Sequence, residues 1–225
     1  MITRVTDGSA GDADYGEIGK VYTGFRNPDP RIAQAITTAL GNAETVLNVG
    51  AGAGAYEPTD RTITAVEPSA SMRALRPGDR PAIDATAEHL PFPDDTFDAA
   101  MATFTVHQWQ DLPAGLTEVR RVTLGPVAIL TCDPDLVRTF WLYDYAPEVL
   151  DVEAHRYPTI SSLGGTAPPA ARQACSAWSF VDQATHNRFA EHLARDLEDG
   201  TWERAHGRLR DQPTYNGSLV LVVAQ

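Results

Sequence analysis

The segment Thr45-Val46-Leu47-Asn48-Val49 runs without a break into Gly50-Ala51-Gly52-Ala53-Gly54, so short aliphatic and β-branched residues meet three glycines at alternate positions. Such a run predicts a buried parallel strand ending in a turn where backbone, not side chain, must lie against a ligand. A second apolar run, Thr62-Ile63-Thr64-Ala65-Val66, ends at Glu67. A glycine turn after a first strand builds a nucleotide-type site at the carboxyl edge of an open α/β sheet. A carboxylate at the end of the next strand can accept two hydrogen bonds from a ribose diol. The two features together point to an adenosine-containing ligand.

The stretch from Gly50 to Ala55 also satisfies the looser dinucleotide pattern G-x-G-x-x-G/A, with Glu67 seventeen residues after Gly50 where ~20 is usual. A dinucleotide site, however, needs the turn to open a full helix whose positive N-terminus faces the pyrophosphate. Here Tyr56-Glu57-Pro58 follows at once, and only eight residues, Ala55 to Thr62, separate Gly54 from Ile63. Pro58 cannot sit in a helix interior, and Glu57 sets negative charge where phosphate would lie. S-adenosylmethionine has no phosphate and needs no long anion-binding helix, so the shortened segment favours it over NAD.

Four blocks then follow in order: Val46-Leu47-Asn48-Val49-Gly50-Ala51-Gly52-Ala53-Gly54; Ala65-Val66-Glu67-Pro68-Ser69-Ala70-Ser71-Met72; Ala87-Glu88-His89-Leu90-Pro91-Phe92-Pro93-Asp94-Asp95-Thr96-Phe97-Asp98-Ala99-Ala100; and Glu118-Val119-Arg120-Arg121-Val122. On these residues the chain resembles the class I S-adenosylmethionine-dependent methyltransferases, within the broad bacterial type 11 group similar to the ubiquinone-biosynthesis methyltransferases. The agreement covers roughly residues 14 to 134. It implies an α/β fold with a doubly wound, mostly parallel Rossmann-like sheet, helices on both faces and an antiparallel last strand.

Composition bounds the partners. The chain has 225 residues, enough for one α/β domain with a decorating segment. Residues 1–13 read as a frayed N-terminus and 14–225 as a single domain. Within it, 14–134 is the cofactor-binding half, 135–217 the substrate-side helices and loop, and 218–225 the last strand. Net charge is −12 and Lys20 is the sole lysine, which disfavours nucleic acid and points to a small-molecule acceptor. No apolar run approaches the ~18 to 20 residues of a membrane span, and the N-terminus lacks a signal-peptide h-region. Cys132 and Cys175 define neither a disulfide framework nor a metal cluster, so the chain reads as a cytoplasmic protein with free thiols and no metal.

Along the chain, Asp29 and Pro30 start a helix over 30–41 that Gly41 stops. Strands are expected at 45–49, 62–66, 81–84, 97–103, 127–131 and 218–224. Helices are expected at 111–121, at 135–150 and at 183–198, the last capped by Asp182 and stopped at Gly200. Residues 161–169 form a loop. Between the fifth and last strands the family supplies a further strand, for which 174–181 is a weak candidate, so the C-terminal region reads as shortened.

The resemblance also implies roles. Gly50, Ala51 and Gly52 lie beside the methionine portion of the cofactor and Glu67 holds its ribose. Pro68 and Met72 pack near the adenine, Met72 serving equally well as helix core. Thr86 and Ala87 contact the adenine; Thr86 stands where related chains carry Asp, and Asp84 shares its face if the strand continues. Glu88 shapes the loop. Asn48, where the family commonly has Asp, is expected to bond loop amides without bringing charge. Thr103 and the residues to Trp109 follow the fourth strand on the ligand edge. There His107 is the candidate catalytic base, with a cofactor-orienting role as the alternative, and Trp109 a pocket wall. Tyr15, Tyr22 and Arg26 form an aromatic, charged lead-in over the cofactor, Arg26 pairing with its carboxylate. Aromatics between Phe140 and Tyr157 line a substrate pocket or form core.

The activity implied is methyl transfer from S-adenosylmethionine, leaving S-adenosylhomocysteine, to O, N or C of a small metabolite. Asn48, Thr86 and the shortened C-terminal region motivate an alternative, a protein of this fold that uses the cofactor for another reaction or only senses it. Monomer and homodimer both stay open, because a lost edge strand exposes the last strand to pairing.

Overall fold

The computed structural model describes residues 28–163, 181–211 and 217–224. Helix α1 (Pro30–Ala39) begins as the sequence predicts. The Asp29 carboxylate accepts from the Arg31 amide at 2.8 Å, and Pro30 takes a first-turn position that has no use for an N–H. Gly41, at φ 59°, terminates it.

Strands β1 (Thr45–Val49), β2 (Thr62–Val66), β3 (Ala82–Ile83), β4 (Ala99–Thr103), β5 (Val127–Cys132) and β6 (Leu219–Ala224) form one sheet in the order β3-β2-β1-β4-β5-β6. The first five are parallel, and β6 runs antiparallel to β5 with Val127 opposite Ala224 and Cys132 opposite Leu219. The remaining helices are α2 (Ala70–Ala74), α3 (Leu112–Arg121), α4 (Pro134–Val137), α5 (Pro147–Arg156), α6 (Gln183–Glu198), α7 (Thr201–His206) and α8 (Arg208–Asp211). No helix among the described residues is long and apolar enough to cross a membrane.

Strand alternation splits the interior into two layers. Val46, Ala99, Met101, Ala128, Leu130, Leu219 and Leu221 face a cluster that includes Ile32 and Ile36 of α1 and Val149 of α5. Leu47, Ala100, Ala102, Val127, Ile129, Val220 and Val222 face the opposite cluster, with Val119 of α3. Both faces of the central strands are covered, which is why their sequences read as continuous apolar runs rather than as an alternation with polar residues.

Three expectations change. The fourth strand starts at Ala99 rather than Phe97, because Phe97 makes an isolated bridge to Thr123 instead. The third ends at Ile83, which leaves Asp84 exposed outside it. The single helix expected at 135–150 is broken into α4, a 3-10 turn (Trp141–Asp144) and α5, with Pro147 restarting the chain in its first turn. Helix α6 has the expected bounds and its Asp182 cap, but Gly200, at φ 75°, leads straight into α7, which propensity did not signal. Among the described residues the sheet ends at β6; the candidate for a further strand at 174–181 lies, but for Val181, outside them.

Asp98 joins the starts of two central strands. One of its carboxylate oxygens accepts from the Glu44 amide (3.0 Å), the Thr45 amide (2.8 Å) and the Thr45 hydroxyl (2.8 Å). These bonds favour the ionised form and hold the Asp98 carboxyl below its ordinary value. A depressed folded-state pKa contributes stability above the unfolded value and loses it as pH falls through the folded one. Asp98→Asn is therefore expected to melt below wild type near neutral pH, with the gap closing in acid; thermal melts across pH check this, and a gap independent of pH would contradict it.

Candidate functional site

The chain leaves β1 toward β2 and β3, then returns to β4 on the other side of β1. Strand order thus reverses between β1 and β4, and the crevice outside their carboxyl ends is where such sheets bind ligands. Gly50 and Thr105 meet across this point. Gly50 sits at φ 66°, and a Cβ there would lie 2.0 Å from the Thr105 hydroxyl oxygen and 2.8 Å from its Cβ. Phe104, between β4 and Thr105, adopts φ 54°, a left-handed conformation that costs a bulky residue about 1–2 kcal/mol. Its amide donates to the Leu130 carbonyl at 2.8 Å and its ring lies 6.3 Å from that of Tyr56.

Glu67, buried at the end of β2, binds the turn from the other flank. One carboxylate oxygen accepts from the Gly52 amide at 2.8 Å and the other from the Ser69 amide at 2.9 Å. The Ala51 amide donates to the Val66 carbonyl at 3.0 Å. Met72 on α2 closes the turn beneath: its terminal methyl would lie 3.3 Å from a Cβ on Gly52. A carboxylate offers about four lone-pair sites, so each oxygen can hold an amide and still receive a hydroxyl.

A third group of residues changes the sequence reading. Asn48 is 1% exposed, and its side-chain amide donates to a Glu57 carboxylate oxygen at 2.9 Å rather than to loop amides. Arg76 donates to both oxygens of the same carboxylate, at 2.8 and 2.9 Å, with each side chain only 2% exposed. It also donates to the Gly52 carbonyl at 3.2 Å and the Arg80 carbonyl at 2.8 Å. Glu57 therefore brings no unpaired charge to the turn. Residues 55–61 form turns and bends, so no helix opens after the glycine turn to offer its N-terminus to an anion.

The four sequence blocks prove to be mechanically joined. Glu88 accepts from the Gln110 and Asp111 amides at 2.8 and 3.2 Å, shaping the loop as expected. Glu118 and Arg121 on α3 clamp the loop of the third block: Glu118 accepts from the Leu90 amide at 3.2 Å, and Arg121 donates to the Phe92 and Leu90 carbonyls and to Asp94. The Arg121 guanidinium beside Glu118 holds that carboxyl below its ordinary value.

Residues 47–125 match the methyltransferase-domain family. The chain has the Rossmann-like fold that S-adenosylmethionine-dependent methyltransferases share. It is 36% identical over 131 residues to the uncharacterized methyltransferase YcgJ of Bacillus subtilis, a match spanning 52% of this chain and 48% of that one. It is 27% identical over 181 residues to the demethylmenaquinone methyltransferase of Corynebacterium urealyticum, spanning 77% and 73%. The crystal structure of a candidate methyltransferase from an antibiotic biosynthesis pathway of Anabaena variabilis superposes with a TM-score of 0.77 at 23% identity, covering 89% of this chain and 98% of that one.

On this fold, Gly52, Glu67 and Met72 form one contiguous unit that the Ala51 amide ties to β2, Pro68 follows Glu67 half-buried, Thr103 ends β4, and Thr105 meets Gly50 across the switch point. His107 lies in a 3-10 turn (Val106–Gln108), its ring 4.4 Å from that of Tyr157 at the end of α5. Thr86 and Ala87 are buried, and Ala87 belongs to the core cluster beneath α3, packed near Gly115 and Trp109. Asp84 does not join Thr86 as expected. The strand has already ended, and Asp84 pairs with Arg73 at 3.3 Å. Tyr15, Tyr22 and Arg26 lie outside the described residues. Burial pushes the Cys132 thiol up to about 12, the behaviour of a packed, inert cysteine. Trp141 packs against Trp202 and His206 at 6.0 Å each, so this part of the aromatic segment is a half-buried ring cluster between the 3-10 turn and α7.

Sequence reasoning missed Arg76, Thr105 and the pairing of Glu57. The positive φ values and close approaches at Gly50 and Gly52 yield a test. Gly52→Ala meets only the end of a flexible methionine and is expected to cost about 1 kcal/mol from φ alone, whereas Gly50→Ala must also displace Thr105 and should cost about 3 kcal/mol. Denaturant melts compare the two; equal losses would contradict the Gly50–Thr105 contact.

Proposed function

We infer that the carboxyl edge around Gly50, Gly52 and Glu67 binds S-adenosylmethionine, and that the chain transfers its methyl group to O, N or C of a small molecule. The observation that carries this reading is the buried Glu67 carboxylate bonded to the Gly52 amide at 2.8 Å. It joins a ribose acceptor and a glycine turn into one unit, and no helix follows that would suit a pyrophosphate. The residues fit the group: the glycine turn offers backbone to the methionine portion, and Glu67 offers acceptors to the ribose.

When bound, S-adenosylmethionine supplies an electrophilic methyl on a sulfonium. The chain's part is to hold that methyl in line with a nucleophile, and alignment alone can supply much of the rate. Thr103 and His107 border the crevice on the β4 side. His107 there takes a proton from an acceptor hydroxyl, amine or acidic carbon. A small-molecule acceptor is supported by the net charge of −12, which suits no phosphate backbone, and by relatives named for a demethylmenaquinone and for antibiotic biosynthesis.

Calorimetric titration with S-adenosylmethionine, S-adenosylhomocysteine and NAD tests the first half. Micromolar binding of the first two but not of NAD is expected. Glu67→Ala should weaken that binding at least about thirtyfold, the loss of charge-assisted bonds to a diol; binding unaffected by the substitution would sink the assignment. Transfer of labelled methyl to candidate acceptors tests the second half and separates it from cofactor sensing or another reaction. His107→Ala should lower transfer about 100-fold or more with cofactor affinity unchanged, and undiminished transfer would remove the base.

A further inference from the structure

Beneath the glycine turn lies a buried polar chain that the cofactor reading does not use. Asn48 on β1, two residues before the turn, donates to Glu57 at 2.9 Å; Glu57 is held by Arg76 through both oxygens; Arg76 donates to the Gly52 carbonyl at 3.2 Å. The third glycine is fitted around the same pair. Gly54 has φ 86°, and a Cβ there would lie 3.0 Å from both an Arg76 nitrogen and a Glu57 oxygen. A buried ion pair persists only where further hydrogen bonds satisfy its remaining atoms, and here Asn48, Gly52 and Arg80 do so. The other Asn48 side-chain atom, Oδ1, is buried with no hydrogen-bond partner among the described residues. The side chain is thus committed to Glu57 at the expense of its own carbonyl, and an ionised Asp at 48 would face a carboxylate instead of donating to it.

We propose that Glu57 and Arg76 are positioning residues of the cofactor site, with Asn48 as the donor matched to the Glu57 carboxylate, and that they set the shape of the turn through the Gly52 carbonyl. The charge that orders the turn comes from Glu57, nine residues along the chain from position 48. The turn is then gripped on both sides of Gly52, its amide by Glu67 and its carbonyl by Arg76. This rests on the cofactor reading above for its functional meaning, while the coupling itself is a property of the ligand-free chain.

The test compares wild type with Asn48→Asp and with Asn48→Asp/Glu57→Gln, which exchanges the carboxylate and the amide between the two positions. Arg76→Lys, which keeps the charge and loses the planar set of donors to Glu57, Gly52 and Arg80, is the third variant. Three readouts are taken: affinity for S-adenosylhomocysteine by calorimetry, melting of the ligand-free protein, and hydrogen exchange over residues 48–57. Asn48→Asp should weaken binding about tenfold or more and speed exchange at the turn. The double variant should recover affinity to within about threefold of wild type and slow the exchange again, whatever its melting temperature. Arg76→Lys should weaken binding with a smaller effect on melting. Affinity and exchange in Asn48→Asp equal to wild type, or a double variant no better than the single one, would overturn the proposal. Loss of affinity that only tracks melting would reduce the pair to scaffold and also overturn it. A wild type that binds no S-adenosylhomocysteine would overturn the cofactor reading and the positioning role with it, while the exchange series still reports whether the pair orders the turn.

Discussion

The Glu67 carboxylate accepts from the Gly52 amide on one side and from the Ser69 amide on the other, and so ties the turn after β1 to the segment entering α2. A carboxylate buried at a strand end is tolerable only when its oxygens are hydrogen-bonded, and backbone amides at under 3 Å meet that need. The consequence is geometric. The turn that would approach a ligand and the group that would receive its ribose cannot move independently. Gly52 is the shared element, since Glu67 takes its amide, Arg76 its carbonyl, and Met72 fills the space below it.

The sheet makes that arrangement possible by bringing its elements to one edge. Parallel pairing of β1 with both β2 and β4 puts Val49, Val66 and Thr103 at the same end of the sheet, so Gly50, Glu67 and Thr105 follow their strands into one crevice. At the opposite end Asp98 binds the starts of β1 and β4 through Glu44 and Thr45. Between the two ends lie apolar runs covered on both faces. Apart from Asn48 and Thr131, the sheet's buried polar groups gather toward the ends of the strands, and the carboxyl end carries the strain at Phe104 and the positive-φ Gly50, Gly52 and Gly54.

What the sequence made legible follows from periodicity and from short-range chemistry. The strands at 45–49 and 62–66, the caps at Asp29 and Asp182 and the glycine turn rest on local patterns that tertiary contacts reinforce. The break at 135–150 is hidden because Val137, Trp141 and Tyr145 keep helical spacing while Pro147 resets the chain between them and α5. The partners of Asn48 and Glu57 were hidden for another reason. Arg76 is nineteen residues from Glu57, and nothing in a local pattern distinguishes an arginine destined for a buried ion pair from one on a solvated helix end. Asp84 and Thr86 share a face only on a strand three residues longer than the sheet supplies.

The central claim is that the Glu67–Gly52 unit is the seat of the adenosyl group. A crystal structure of the protein grown with S-adenosylhomocysteine tests it most directly. The account predicts the ribose hydroxyls on the Glu67 carboxylate and the homocysteine chain against the backbone of Gly50 to Gly52. Ligand density elsewhere, as in the groove of about 320 Å³ beside β2 and β3 that Pro58, Arg61, Ile63 and Arg80 help to line, with Glu67 holding only its amides, would contradict it.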